Sequence, residues 1–149
     1  MMRTLAITLF ASALGACSSI PSLDDVGNFI GLTSNAQDSI AAHEECAALD
    51  MAIAANLSSS TQAREEEQQY ADAFRNQSGS NLDKAVKLRM ADEGSDRATA
   101  FRTSSGIVRK LTRDKAVYMN DRLLAEDTGV LDNEWVNGER LDCQEALSS

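Results

Sequence analysis

His43 is the only histidine in the chain, and it stands in the run His43-Glu44-Glu45-Cys46. An imidazole, two carboxylates and a thiol within one turn are the groups from which acid-base catalysis or a metal site would be built. On a helix His43 and Cys46 lie one turn apart and can share a ligand, and His43 falls on the same flank as Asp50. Two ligands fall short of the three or four that a transition metal needs, and fewer remain if Cys46 is oxidised. The run therefore reads as a half-exposed histidine on an ordinary helix. Nucleophilic chemistry fares no better: no serine sits in a Gly-x-Ser-x-Gly turn, and a triad would have to recruit His43 from a helix. Glu65-Glu66-Glu67 is consecutive and points around a helix, whereas a glycosidase pair must face across a cleft. No phosphate-cradling glycine loop is present. The expectation is a chain without catalytic residues, without a cofactor and without a metal: not an enzyme.

The remaining candidate is a surface. Arg102, Arg109 and Arg113 are spaced seven and four apart, with Lys110 beside them, on the side of a helix away from Phe101, Val108 and Leu111. Such a row can meet lipid phosphates, acidic partners or peptidoglycan carboxylates, each cation contributing about 1 kcal/mol near an anionic membrane. The plainer reading is a solvated face balanced by acidic neighbours. Net charge is -9, but it is segregated: Cys17 to Ser78 carries ten acids against Arg64 and Arg75, Gly79 to Arg122 six acids against ten bases, and the remainder seven acids against Arg140. A basic helix packed between acidic ones accounts for that order, the complementary charges helping to set register. An acidic chain without interleaved aromatics is no nucleic-acid binder.

The chain opens Met1-Met2-Arg3, continues as the short apolar run Leu5 to Leu14, and closes it with Leu14-Gly15-Ala16-Cys17. That run is too short to span a bilayer, which takes about 20 residues. It resembles the signal peptide and lipobox of bacterial lipoproteins. The resemblance implies a leader over residues 1–16, lipidation of Cys17, a second acylation (palmitate) of the new amine, and a lipidated N-terminus and tether over 17–35. Two or three acyl chains would hold the protein on a membrane without any transmembrane helix. Ser18, rather than Asp, after the cysteine implies the outer membrane facing the periplasm.

An exported chain meets an oxidising compartment, and setting Cys17 aside leaves Cys46 and Cys143. One disulfide between them is expected; two free thiols or a metal pair are the alternative, without further ligands to support it. A staple suits a thin core with one Trp, two Tyr and an apolar content rich in alanine.

These groups must be carried on helices. Ala42, Cys46, Leu49, Ile53 and Leu57 recur at steps of three and four, so a first helix from Asn35 turns Cys46 inward. Ser59 and Gln62 have capping-box spacing and predict a second helix carrying Ala63, Tyr70 and Phe74 inward, ended by Ser78-Gly79-Ser80. Leu82, Val86 and Met90 mark a third, ending near Gly94-Ser95. A fourth, from about Asp96 to Asp127, shows Phe101 with Val108 and Leu111 with Tyr118 at heptad spacing. A final helix after Asp132 would line Trp135, Val136, Cys143 and Leu147 on one side. Val26, Phe29, Ile30 and Leu32 within the tether are apolar enough to dock on the domain. The fold expected is all-α: a single domain over 36–149, a small antiparallel bundle of four or five helices stapled by one disulfide.

The function expected is a non-enzymatic, membrane-anchored periplasmic lipoprotein, a helical interaction or scaffold module contacting an envelope protein or the cell wall. Beside the weakest alternative, an enzyme acting on glycan or lipid, two others stand. Trp135 and Cys143, eight residues apart, resemble the Trp and Cys in the closing segment of the helical lysozyme-inhibitor-like LprI family, which would imply inhibition of a secreted hydrolase. The likeness covers about ten residues; the family's Gln before the Trp is missing, and Arg140 falls one position late for its Arg-Asp pair. The other alternative is an accessory or exclusion lipoprotein of a secretion or conjugation apparatus.

Overall fold

The computed structural model describes residues 34–59 and 65–148, with the side chains of 34 and 35 left aside. The leader, Cys17, the tether with its apolar residues, Ala63 and the Gln62 half of the capping box lie outside the described residues. Four α-helices account for nearly all of the rest: α1 Ser34–Ser59, α2 Glu65–Glu93, α3 Arg97–Glu126 and α4 Glu134–Ala146. The described residues contain no strand, and no helix among them is long and apolar enough to cross a membrane.

Alanine makes α1 a strong helix and, being small, lets its neighbours approach closely. This helix touches all three others and is buried on more than the expected stripe: Ala47, Ala48, Leu49, Ala52, Ile53 and Ala54 are each at most 1% exposed. Cys46, Leu49, Ile53 and Leu57 are buried as the periodicity predicts. Alanines between them were legible as helix formers but not as core.

The break expected at Ser78-Gly79-Ser80 is absent, so the second and third predicted helices are one, α2. Ser78 is buried, and its hydroxyl donates to the Ala47 carbonyl at 2.7 Å, so a residue that ends helices in isolation here serves a close helix crossing. Glu44 meets Arg89 toward one end of α1 and Ser58 meets Arg75 toward the other, with the Ala47–Ser78 and Asp50–Asn81 contacts between them. Gly94, at φ 63°, turns the chain out of α2. Asp96 then caps α3, its carboxylate accepting from the Ala98 and Thr99 amides at 2.9 and 3.1 Å.

The seam of α3 differs from the heptad reading. Ala100, Ser104, Val108 and Met119 are buried, Leu111 is half-buried, and Phe101 and Tyr118 are 53% and 49% exposed. Small residues occupy the crossing because a buried arginine, Arg89, fills the space beside Ser104. Tyr118 instead stands edge-on to Trp135, ring centroids 4.9 Å apart, with the Arg122 guanidinium 6.0 Å from both rings. On α2, Phe74 is buried as expected while Tyr70 is exposed. The main core gathers Leu49, Ile53, Leu57, Phe74, Met119, Val130 and Val136, with Trp135 and Cys143 packed against it. Asn133, buried, caps α4 through its oxygen and donates from its amide to Glu126 and Thr128, tying the end of α3 to the start of α4.

Candidate functional site

At 100° per residue, Arg102, Gly106, Arg109, Arg113, Val117, Asn120 and Leu124 fall on one stripe of α3, opposite Val108 and Met119. All seven are exposed, whereas Val108 and Met119 are buried. Arg102, Arg109 and Arg113 form no ion pair with any described residue. Lys110, at the border, faces Asp114 at 3.9 Å, a solvated contact worth little. The stripe carries no acid, and it ends in two aliphatics, Val117 at 59% and Leu124 at 75% exposure. Charge complementarity between helices is instead met by other cations: Arg89 with Glu44 at 2.9 Å, Lys115 with Glu139 at 3.0 Å and Arg97 with Asp83 at 3.6 Å.

Cys46 and Cys143 are bridged, their Cα atoms 5.6 Å apart across 97 residues of sequence. The bridge fastens α4 to the central helix. Beside it lies a half-open cleft of about 380 Å³ lined by Ala42, Glu45, Lys115, Glu139 and Asp142. Its one lysine is engaged by Glu139, and its walls hold neither the histidine nor a free thiol. A smaller hollow of about 60 Å³ on the other side of the bridge is lined by Asp50, Asn81 and Arg140.

Of the interior polar groups, His43, Glu44 and Asp50 stand out in the sequence, whereas their partners Asn81, Arg89 and Ser104 do not. His43 does not share a ligand with Cys46; its Nδ1 lies 3.4 Å from Asn81 Oδ1, which assigns the proton to Nδ1, since a carbonyl oxygen can only accept. The Asn81 amide in turn donates to Asp50 at 3.3 Å. Burial pushes the Asp50 carboxyl up to about 6, against the opposing pull of the Asn81 hydrogen bond and the Arg140 charge. Burial likewise holds the His43 imidazole below its ordinary range, partly offset by Asn81. Two turns further along α2, Arg89 is 4% exposed and bonded to Ser104 at 3.1 Å, to Glu44 and to Glu93. Desolvation works against its charge, but the two carboxylates more than offset it, so the guanidinium is held above the usual arginine range.

Signals for these groups exist in the sequence. Asp50 follows Leu49 inside an otherwise apolar run, and Arg89 lies three residues from Val86, at an inward register. Most of these polar groups meet across a helix contact, His43 and Asp50 with Asn81 and Arg89 with Glu44 and Ser104, which ties α1 to α2 and α2 to α3. Among the described residues no group of three histidine, cysteine or acidic side chains is close enough to hold a metal ion. Trp135 is half-buried against Tyr118, and Cys143 is in the bridge, so both residues of the inhibitor-like pair are engaged within the domain. Comparison with protein-family models, with curated proteins and with solved structures finds no match.

Proposed function

We propose that the protein is a non-enzymatic envelope lipoprotein, held through lipid on Cys17 at a membrane facing the periplasm, outer rather than inner. In this reading it acts as a helical interaction module whose working surface is the basic face of α3. The observation that carries the reading is that face itself: three arginines in a row, exposed and without carboxylate partners among the described residues, on a chain whose net charge is -9. Cations left unpaired in an acidic molecule are available to an anionic partner. The lipobox-like Leu14-Gly15-Ala16-Cys17 supports the anchor, and the Cys46–Cys143 bridge fits an oxidising compartment. The pairing order along α1 and α2 supports the antiparallel bundle as the form in which the module is built.

The test is affinity capture of the full chain from envelopes after mild crosslinking, with mass spectrometry of its N-terminus and of what it holds. The expected result is an acylated N-terminus at Cys17 and capture that is lost when Arg102, Arg109 and Arg113 are replaced by glutamine. Substitution of His43 by alanine is expected to leave capture intact. A free, unmodified Cys17, or capture indifferent to the arginines and abolished by His43→Ala, contradicts the reading.

A further inference from the structure

We infer that the acid-free face of α3 docks on the anionic headgroups of the bilayer to which the chain is tethered, an inference that rests on the anchored reading above. Arg102 to Leu124 extends over roughly 33 Å at 1.5 Å per residue, so one helix face lies along the surface for several headgroups. Guanidinium groups bind phosphate oxygens through two parallel hydrogen bonds, which makes an arginine row suited to phosphate. Gly106, with nothing within 4 Å of where a Cβ would stand, leaves the row flat between Arg102 and Arg109. Val117 and Leu124 continue the row as exposed aliphatics, the side chains that reach the acyl boundary beneath the headgroups.

A protein partner fits these observations less well. Binding energy between proteins concentrates where anchors fill pockets. Neither cavity lies under the row: both flank the Cys46–Cys143 bridge, and Lys115 is their only α3 residue. A fluid plane of phosphates demands charge and no matching shape. Away from the row the chain's net charge is negative, with Glu65 and Glu66 exposed on α2, so repulsion from the same plane turns α3 downward. The tether adds effective concentration, so a face of modest intrinsic affinity suffices.

The experiment uses the full, natively acylated chain carrying Asn120→Cys with a nitroxide label, Asn120 being exposed and on the stripe. It is reconstituted on phosphatidylcholine vesicles with or without phosphatidylglycerol, and collision of the label with an aqueous nickel chelate is measured. Shielding from nickel is expected only where phosphatidylglycerol is present, and it should fade as salt rises. Replacing the three arginines by glutamine should lower the docked-to-free ratio about a hundredfold, from the loss of three surface cations. Because all three are exposed and without ion pairs among the described residues, the helical circular dichroism should not change. Equal nickel access on both vesicles, with Cys17 acylated by mass spectrometry, overturns the docking and leaves the anchor standing. An unacylated chain that does not sediment with vesicles overturns the anchored reading and the docking with it. Shielding that appears only after envelope proteins are restored assigns the face to a protein and overturns the inference.

Discussion

A carboxyl that titrates near 6 when folded and near 3.8 when unfolded binds its proton more readily in the folded chain. Between those two values the native state holds more protons than the unfolded one, so stability falls as pH rises through the window. Asp50 should therefore withdraw on the order of 2 kcal/mol of stability between acid and neutral pH, allowing for its partial contact with the small hollow. Asp50→Asn keeps an acceptor for Asn81 and removes the charge. Its stability relative to the parent, followed by urea unfolding, should be constant well below 3.8, rise through the window and level off near neutrality; a flat difference across the range would mean that Asp50 is not desolvated. His43 works in the other direction: its pKa is lowered by burial, so what it contributes is present above 6.5 and lost as pH falls. It is common to both proteins and largely cancels in the difference.

Arg89 tests the other polar cluster. Removing one partner of a buried ion pair leaves an uncompensated charge, at a cost of about 3–5 kcal/mol. Arg89→Met should cost that much, because Glu44 is then left buried and alone. Glu44→Gln, which leaves Arg89 paired with Glu93, should cost less, and the double variant less than the sum of the two. Additive singles in denaturant unfolding would show that the two side chains do not interact.

The elements depend on one covalent link. The bridge closes a loop of 97 residues, for which chain entropy alone gives about 4–5 kcal/mol, with real bridges often delivering less. The backbone of α4 runs closest to α1, the helix to which the bridge fastens it, while Tyr118–Trp135 and Lys115–Glu139 link it to α3. Cys46→Ala and Cys143→Ala should destabilise equally, the double variant should be no worse than either, and amide exchange should rise first in α4. Unequal singles would assign the two cysteines separate roles. The helices and this pairing were legible because period and parity are local and countable: Leu49, Ile53 and Leu57 keep their spacing, and two cysteines remain after Cys17. The continuity of α2 was not, because Ser78 and Gly79 favour a break until α1 supplies the Ala47 carbonyl as a partner. Phe101 and Tyr118 were misplaced for a related reason: heptad spacing reports which residues could share a face, not which face a buried arginine and small residues close upon. The basic row could be read directly, since exposure of Arg102, Arg109 and Arg113 needs no partner from elsewhere in the chain.

At the scale of the whole molecule, charge is sorted into an inside and an outside task. Arg89 and Lys115 knit helices together, while the α3 stripe faces outward without carboxylates on an otherwise acidic chain. This stripe is proposed as the place where a membrane-held module meets its anionic partner. It is tested most directly by photo-crosslinking in intact envelopes from position 113 on the stripe, with position 66 on the exposed acidic start of α2 as reference. Adducts are expected from position 113, phospholipid prominent among them, and none from position 66. Adducts from 66 alone, or equally from both positions, would contradict it.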